Sequence, residues 1–426
     1  MKLIEQILST ENVLKAQSHV LSKKGGVGID GMHVDELGEY MRVNWDVIKQ
    51  SILERKYKPA PVRRVEIPKG NGGVRKLGIP TVLDRTIQQS IVQVLSPIFE
   101  AEFQEHSYGF RPCRNCEQAV LKLLEYLNDG YEWIVDIDLE KFFDHVPQDK
   151  LMSYVGRVIH APDTESLIRK YLKSGVMENG VYSVTDEGTP QGGNLSPLLS
   201  NIILNELDKE LVSRGLHYVR YADDCIIAVG SEASAKRVMQ SITGWIERKL
   251  GLKVNASKSH ICRPGKLKYL GFGFYKSPQT KEWASRPHET SVDKFVRTLK
   301  KLCKRSWSIS MTDRITRLNY VTRGWINYFS ISAMKLKMER IDEHLCTMLR
   351  KVIWKQWKTP NKRAWGLRKL GIESELAKCT SFCGDRYEWV VRRTCVARAI
   401  SKEVLSRRGL VSCLDYYLIR HSLKTN

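Results

Sequence analysis

The sequence predicts an α+β fold in which a mixed region of strands and helices precedes a largely helical C-terminal third. Three observations predict it: short apolar strands bounded by turn residues before about residue 285, amphipathic helical patterns between them, and helical periodicity from about residue 290. The chain has 426 residues, which suggests two to four domains at about 100–200 residues per domain.

The N-terminal part combines helices with one hairpin. Residues 11–22 and 32–55 are predicted helices on either side of a glycine-rich turn at 25–31. A hairpin is predicted at 62–79, because β-forming arms flank the Gly and Asn residues of 70–73. The elements predicted next are helices at 81–104 and 116–128, a strand at 133–138, and helices at 147–156 and 164–174.

The rest of the chain continues with one more mixed segment before it becomes helical. A helix is predicted to begin near Pro197, because a polar cap precedes Pro in the first turn. The elements predicted after it are a hairpin at 217–230, a helix at 232–250, strands near 252–255, 260–263 and 268–275, and helices from about 290 with a break at 359–361.

Positive charge is concentrated in the C-terminal third. The formal net charge is +22, and from Arg286 to the end there are 31 Lys and Arg against 12 Asp and Glu. Residues 1–285 hold 38 against 35. The basic part also contains six Trp residues, and cations interleaved with aromatic rings suit a phosphate backbone with bases to stack on. A catalytic module joined to a module that grips nucleic acid is favoured over a merely solvated helical surface.

Compartment and cysteine usage point to the cytosol. There is no apolar run long enough to span a membrane, and the first 21 residues lack the features of a signal or transit peptide. Cys113 and Cys116 form one metal-like pair, but there is no second pair at zinc-ligand spacing, and Cys379 and Cys383 have no nearby His. Reduced structural thiols are therefore favoured over a zinc site.

Adjacent acids in an apolar hairpin are the strongest chemical signal. Asp223 and Asp224 lie between β-forming residues, at or near the predicted tip. Such neighbours repel each other and are costly to desolvate, and bound divalent cations would offset that cost. Asp138 ends its own strand, with Asp136 two residues earlier on the same face. If a central sheet brings Asp138 beside Asp223, three carboxylates can hold Mg²⁺ for two-metal phosphoryl transfer.

Other residues are candidates for contacts with a triphosphate. Lys69 and Arg75 flank the 70–73 turn, from which both can reach over a phosphate chain, although an ordinary solvated hairpin is the alternative. Gln191 precedes two glycines whose bare backbone would allow close approach of a nascent base pair. Lys258 follows a short strand and is a candidate for protonating the leaving pyrophosphate, with a structural role equally open. Together these features predict a metal-dependent, template-copying polymerase.

Longer strings narrow the interpretation. They are the glycine-rich turn at 25–31, Ile-Pro-Lys at 67–69 with Leu-Gly-Ile-Pro at 77–80, Tyr-Gly-Phe-Arg-Pro at 108–112, the segment 138–144, the segment 188–197, Lys-Tyr-Leu-Gly-Phe at 268–272, and the segment 323–329. With Tyr-Ala-Asp-Asp at 221–224, they resemble the reverse transcriptases, and more narrowly the bacterial group II intron proteins that combine reverse transcriptase and maturase. The compact size is similar to the short class C-type members, and the likeness covers essentially the whole chain.

The resemblance implies a right-hand polymerase with fingers, a palm containing an antiparallel sheet, and a helical thumb. The implied divisions are 1–125 for an N-terminal extension and fingers, 126–285 for the palm with inserted helices, 286–358 for the thumb (maturase domain X), and 359–426 for a small basic DNA-binding domain. The His-Asn-His nuclease pattern of many relatives is missing from the sequence. We therefore expect that the protein does not cut the second DNA strand and needs a primer from elsewhere.

The resemblance also implies roles for individual residues. Asp138, Asp223 and Asp224 would hold two Mg²⁺ ions, with Mn²⁺ as an alternative, and the carbonyl of Leu139 would assist. Phe143 would be the steric gate that excludes a ribose 2′-hydroxyl, which makes DNA the product.

Further implied roles concern the incoming nucleotide and the primer. Lys69, Arg75 and Gln191 would contact the incoming dNTP. Residues 269–274 would form the primer grip.

The leading expectation is an RNA-directed DNA polymerase that copies intron RNA by target-primed reverse transcription and assists splicing and mobility of the intron. Expected partners are intron RNA, a DNA target and primer, and dNTPs, and no membrane is expected to be involved. We expect the protein to be a monomer or a dimer in the bacterial cytoplasm. The alternatives are a reverse transcriptase of a retron or diversity-generating element, an RNA-binding maturase with an inactive polymerase, and an RNA-templated RNA polymerase. The segment 323–329 and the basic tail argue against the first alternative. The intact aspartates argue against the inactive polymerase, and Phe143 argues against the RNA polymerase.

Overall fold

A computed structural model describes residues 2–68, 73–178, 180–190 and 192–425. The chain divides into two compact units, Met1–Arg263 and Pro264–Asn426. In the described residues, the first unit contains two four-stranded sheets and the second a three-stranded sheet. The mixed N-terminal part and helical C-terminal part confirm the predicted α+β class.

The first unit interleaves helices and strands. Its helices are α1 (Leu3–Ile7), α2 (Thr10–Lys23), α3 (Leu37–Leu53), α4 (Val82–Glu100), α5 (Cys116–Asn128), α6 (Gln148–Ile159), α7 (Pro162–Leu172), α8 (Ser196–Ser213) and α9 (Glu232–Trp245). Its strands are β1 (Val62–Pro68), β2 (Val74–Ile79), β3 (Trp133–Ile137), β4 (Val176–Glu178), β5 (Val181–Ser183), β6 (His217–Tyr221), β7 (Asp224–Val229) and β8 (His260–Cys262).

Local sequence signals explain where these helices begin. The Thr81 hydroxyl accepts a hydrogen bond from the backbone N–H of Asp84 and caps α4. At α5, Asn115 and Gln118 form a reciprocal capping box. Pro197 occupies the first turn of α8, as the sequence predicted, but the predicted polar cap was wrong, because the N-cap residue is Leu195, which makes no side-chain capping hydrogen bond. The π-helical turn Ile246–Leu250 continues α9 over the remainder of its predicted range.

The central sheet has the order β6-β7-β3-β8 and is antiparallel throughout. It packs on one large apolar core in which Val135 of β3 and Ile227 of β7 meet side chains of α4, α6 and α8, such as Ile91, Leu151 and Ile203. All five are at most 1% exposed, and burial of each stabilises the fold by about 1.5–3 kcal/mol. This core fixes the ends of β3 and β7, where the acidic residues lie.

The second sheet of this unit has the order β2-β1-β4-β5. The predicted β1–β2 hairpin is confirmed in its arms, where Ile67 pairs with Arg75, while residues 69–72 of its turn lie outside the described residues. The β4–β5 hairpin was not predicted. The predicted strand near 252–255 was wrong, because the structure has only a bridge between Leu139 and Val254 there.

The second unit places a small sheet before a set of helices. Its strands are β9 (Lys268–Tyr269), β10 (Phe272–Lys276) and β11 (Trp283–Pro287), in the order β11-β10-β9. Its helices are α10 (Glu289–Leu302), α11 (Met311–Phe329), α12 (Lys335–Gln356), α13 (Pro360–Lys369), α14 (Ser374–Ser381), α15 (Tyr387–Val390), α16 (Thr394–Ala399), α17 (Lys402–Arg407) and α18 (Cys413–Thr425).

The predicted single strand at 268–275 is broken in two, because Leu270 and Gly271 both adopt positive φ and turn β9 back on β10. β11 was not predicted.

The carboxylate of Asp342 in α12 anchors the final helix. It accepts hydrogen bonds from the Ser412 hydroxyl at 2.7 Å and from the backbone N–H groups of Cys413 at 2.6 Å and Leu414 at 3.0 Å. A carboxylate at a helix N-terminus satisfies free N–H groups and interacts favourably with the helix dipole. α12 and α18 are therefore joined by polar contacts. Within the described part of the chain, no helix is both long and apolar enough to cross a membrane.

Candidate active site

The paired aspartates lie at the β6–β7 turn. Tyr221 pairs with Asp224, so Ala222 and Asp223 form a two-residue connection. Ala222 has φ of 57°, in the left-handed region that is unfavourable for a residue with a Cβ atom. Such a conformation persists only when neighbouring groups hold it. The sequence correctly placed the acids at a hairpin tip.

A buried arginine holds this turn. The Arg220 guanidinium donates hydrogen bonds to the Ala222 carbonyl at 2.8 Å, to Asp208 Oδ1 at 2.7 Å, to Asn201 Oδ1 at 3.1 Å and to Ser107 Oγ at 2.7 Å. Its side chain is 1% exposed and that of Asp208 is fully buried. Burial acts to lower the pKa of Arg220, but the charge and the hydrogen bond of Asp208, with smaller contributions from Cys225 and Tyr218, together raise it, so the arginine stays charged.

The Tyr-Gly-Phe-Arg-Pro string packs directly beneath the same turn. Tyr108 N–H donates to the Arg220 carbonyl at 2.8 Å, and Asn201 Nδ2 donates to the Gly109 carbonyl at 2.8 Å. A Cβ atom at Gly109 would lie 2.2 Å from the Ala222 nitrogen, far inside contact distance. Glycine is required here because two backbones approach closely.

Asp138 follows β3 at the same end of the sheet. Ile137 pairs with Cys225, so Asp138 and Asp224 are neighbours at the ends of two adjacent antiparallel strands. The structure therefore brings Asp138 close to the Asp223–Asp224 pair, as predicted.

Burial and neighbouring charges raise the pKa of three acids at this end of the sheet, Asp136, Asp223 and Asp224. Asp224 reaches solvent at the first position of β7, yet loss of water to the surrounding protein raises its pKa to about 6, and the charges of Asp223, Asp136 and Asp138 add to this. Burial likewise raises the pKa of Asp136 to about 6, and Asp138 contributes. Burial also raises the pKa of Asp223. This edge concentrates negative charge that a cation would stabilise.

Lys258 is held against Asp138. Its ammonium lies 3.2 Å from both Asp138 carboxylate oxygens. The turn that carries it is bound to the same residue, since Asn255 N–H donates to the Asp138 carbonyl at 2.8 Å and Asp138 N–H donates to Ser259 Oγ at 3.0 Å. The structure places Lys258 in the site, while its role as a proton donor stays a prediction.

The acids suit a divalent cation chemically, although in the described part of the chain no three His, Cys, Asp or Glu side chains converge on one point that would hold a metal ion. Carboxylate oxygens are ligands preferred by Mg²⁺, and a cation would relieve the repulsion that adds to the effect of burial on these pKa values. Coordination by Asp138 would require Lys258 to release it. The role of the Leu139 carbonyl stays a prediction.

Phe143 lies in the short helical turn after Asp138. Its ring contacts Phe142 edge to face, with centroids 5.2 Å apart, and it lines a cavity of about 170 Å³ together with Gly78 and Thr189. Thr189 N–H donates to the Phe143 carbonyl at 2.7 Å, and a Cβ atom at Gly188 would lie 2.8 Å from that carbonyl oxygen. The 188–189 backbone therefore fixes the position of Phe143.

Arg75 is the dNTP candidate that the structure relates to the acids. It lies on β2, and its charge opposes the rise that burial causes in the pKa of Asp223. Lys69 and Gln191 lie outside the described residues, so their roles stay predictions.

The sequence did not predict a role at this site for Arg220, Asp208 or Gly109, although Gly109 lies in the Tyr-Gly-Phe-Arg-Pro string. One signal was present, because Arg220 interrupts an apolar strand next to the aspartates and a buried arginine needs an acidic partner. Its partner Asp208 is twelve residues away on a helix, and Gly109 is more than a hundred residues away. Neither pairing follows from local patterns.

Two family models match separate parts of the chain. Residues 67–274 match "Reverse transcriptase (RNA-dependent DNA polymerase)", and residues 292–371 match "Group II intron, maturase-specific domain". Protein YkfC of Escherichia coli (strain K12) is 33% identical over 300 residues, which are 61% of this chain and 79% of that protein. The chain belongs to the group II intron reverse transcriptase–maturase family. Asp138, Asp223 and Asp224 lie within its reverse transcriptase match.

Two other relatives of this group II intron reverse transcriptase are intron proteins. The group II intron-encoded protein LtrA of Lactococcus lactis subsp. cremoris is 30% identical over 337 residues, covering 64% of this chain and 56% of LtrA. The putative COX1/OXI3 intron 2 protein of Saccharomyces cerevisiae is 27% identical over 356 residues, covering 69% of this chain and 40% of that protein. The chain thus spans about half the length of these two relatives.

Family membership sets the general function. The group II intron reverse transcriptase is an RNA-directed DNA polymerase with a role in intron splicing and mobility. Reverse transcriptases use divalent metal ions, and the maturase domain implies intron RNA and nucleic acid as partners.

Proposed function

We propose that this reverse transcriptase copies intron RNA into DNA by two-metal phosphoryl transfer at Asp138, Asp223 and Asp224. The observation that carries the proposal is the placement of these carboxylates at one end of adjacent strands, where burial and neighbouring carboxylates raise the pKa of Asp223 and Asp224. Bound Mg²⁺, or Mn²⁺, would lower the pKa of a primer 3′-hydroxyl and stabilise the leaving pyrophosphate. The Leu139 carbonyl would complete the ligand set.

Cations of the chain would act on the triphosphate. Lys69 and Arg75 would bind its oxygens from the β1–β2 hairpin, because charge-assisted hydrogen bonds are the strong ones for phosphate. Lys258 would release Asp138 and hold a proton near the leaving pyrophosphate. Gln191 would contact the nucleotide next to the bare backbone of Gly192.

The Phe143 ring would exclude a ribose 2′-hydroxyl and so select dNTPs. Its support is steric, since the 188–189 backbone holds the Phe143 carbonyl and the ring packs on Phe142. A DNA product follows from this selection.

The partners proposed for this chain are the intron RNA as template and splicing substrate, a DNA target that supplies the primer, and dNTPs, in a bacterial cytoplasm. The proposed division of labour is fingers in 1–125, palm in 126–285, thumb in 286–358 and DNA binding in 359–426. The +19 balance of the residues from Arg286 onward supports binding of phosphate backbones there.

Primer extension on an RNA template tests the catalytic assignment. The double variant Asp223→Asn/Asp224→Asn should lose extension, while Asp149→Asn, an exposed acid on α6, should keep it. Splicing of the neighbouring intron RNA should continue in the double variant, because RNA binding does not need the metal ligands. Extension at the wild-type rate in the double variant would remove the proposal.

A further inference from the structure

A groove of about 950 Å³ lies within the second unit, between β10–β11, α10, the start of α12 and α18. Sixteen described residues line it, and none of them is Asp or Glu. Seven of the lining residues are basic: Arg286, Lys300, Lys335, Lys337, Arg340, His344 and His421. The groove is therefore a concentration of positive charge without acidic residues in its wall.

The Lys and Arg residues of the groove are available to a ligand. Among the described residues, none of the five forms an ion pair with a carboxylate, whereas other cations of this unit do, such as Lys351 with Glu388 and Lys402 with Asp415. The groove cations also oppose one another. Burial lowers the pKa of Lys337, and the charge of Arg286 lowers it further, although Glu289 and Asp293 act against this. An anionic ligand would relieve this repulsion.

The groove also has an apolar and aromatic part, Tyr275, Leu336 and Leu418, which we call its floor. Leu336 is 69% exposed and Leu418 is 42% exposed, and both line the groove with Tyr275. The Arg286 guanidinium lies 5.8 Å from the Tyr275 ring. Exposed apolar side chains gathered in one depression mark a binding surface. A small anion such as phosphate would leave this floor unused.

Cations around an apolar floor match one class of ligand best. An unpaired nucleic-acid strand offers phosphates to the cations and base faces to apolar and aromatic side chains. A duplex keeps its bases stacked inside and would contact the cations alone.

We propose that this groove binds an unpaired segment of the intron RNA, with phosphates at the basic rim and bases on the Tyr275–Leu336–Leu418 floor. RNA is favoured because most of α10 and all of α12, which line the groove, lie within the maturase-specific match, residues 292–371. The inference rests on the proposed binding of intron RNA and adds the place and the single-stranded character of the contact.

Binding of the full chain to a short single-stranded RNA and to its blunt duplex, over a range of salt, tests the groove. Lys337→Ala/Arg340→Ala should weaken single-strand binding on the order of tenfold and flatten its salt dependence by ~0.7 per lost phosphate contact. Duplex binding should change little. The matched control is Lys294→Ala/Lys301→Ala, which removes two α10 cations outside the groove wall and should leave single-strand binding unchanged.

A floor variant separates base contacts from charge. Leu336→Ser is expected to weaken single-strand binding without changing the salt slope, and thermal unfolding should match wild type, because Leu336 is largely exposed. Equal losses for single strand and duplex, or no loss in either groove variant, would overturn the proposal. If wild-type protein fails to bind its intron RNA at all, the proposed function fails instead. If the wild-type protein binds intron RNA and the groove variants bind single-stranded RNA as tightly as wild type, the groove assignment alone fails.

Discussion

The Arg220 guanidinium donates a 2.8 Å hydrogen bond to the carbonyl of Ala222, the residue immediately before Asp223. The same guanidinium pairs with the buried carboxylate of Asp208. The left-handed conformation of Ala222 is thus tied to a buried ion pair between β6 and α8. We infer that Arg220 is a positioning residue, which acts on the site through the backbone of the turn.

Loss of Arg220 should affect stability and activity separately. Arg220→Gln leaves the Asp208 charge buried without its partner, which is expected to destabilise the fold by about 3–5 kcal/mol in urea unfolding. The double variant Arg220→Met/Asp208→Leu removes both charges and should regain much of that stability. Primer extension should remain impaired in it, because the Ala222 carbonyl has lost its donor. Recovery of full extension along with stability would assign Arg220 a purely structural role.

Gly109→Ala should displace the catalytic turn. The added methyl group would lie 2.2 Å from the Ala222 nitrogen, so one of the two backbones must move. Extension rates are expected to fall roughly tenfold or more, equivalent to about 1.4 kcal/mol in the barrier. Gly230→Ala is the matched control, because nothing lies within 4 Å of its added Cβ and its φ is not positive. Similar rates in both variants would contradict the close-approach argument.

Phe143→Ala should relax sugar selection. Removing the ring opens space where a 2′-hydroxyl would lie, so the ratio of rNTP to dNTP incorporation is expected to rise by roughly tenfold or more, at about 1.4 kcal/mol per tenfold. Single-nucleotide extension with each substrate measures it, and dNTP incorporation by the same variant is the internal control. An unchanged ratio would show that Phe143 is not the gate.

Lys258→Gln should alter the metal requirement. The Lys258–Asp138 pair is 64% exposed on the lysine side, and such pairs contribute less than about 1 kcal/mol. If Mg²⁺ must displace this ammonium, the Mg²⁺ concentration for half-maximal extension should fall by roughly two- to fivefold. A separate loss of kcat would support proton donation. A rise in the Mg²⁺ requirement would count against the displacement.

The acids should make stability depend on pH in the presence of chelator. In the folded chain the pKa of Asp224 is raised to about 6, above its unfolded value of about 3.9. Stability linked to this group is therefore fully present below about pH 4 and lost as pH rises through 6. Asp224→Asn mimics the protonated acid, so it should raise Tm at pH 7.5 and have little effect at pH 4. Equal effects at both pH values would contradict the raised pKa.

Local patterns predicted much of the fold. The helix at 116–128 and the β6–β7 hairpin follow from apolar periodicity and turn residues, and both are present. The β4–β5 hairpin was missed because its strands have three residues each, and β4 joins the sheet by a parallel pairing of Val62 with Val176. Such short strands depend on distant partners rather than on their own sequence.

The candidate site, too, could be predicted from the sequence only in part. Asp138, Asp223 and Asp224 stand out locally, because acids interrupt apolar strands. The residues that support their turn could not be predicted from local patterns, because they are distant in sequence. Arg220 N–H donates to the carbonyl of His106, and Gly109, three residues after His106, approaches Ala222. Contacts over a hundred residues of chain form only when the sheet and α8 assemble.

The hydrogen bonds that the Asp342 carboxylate accepts from the start of α18 also determine which fragments of the second unit can be stable. A chain ending at residue 358 would keep the buried carboxylate but lose every donor that the start of the last helix supplies to it. A buried carboxylate that has lost its hydrogen-bond donors destabilises the fragment that contains it. Limited proteolysis should therefore release no stable 286–358 fragment, and removal of the last seventy residues should unfold α12 as well. The thumb and the DNA-binding tail, distinct in proposed role, would melt in one cooperative transition.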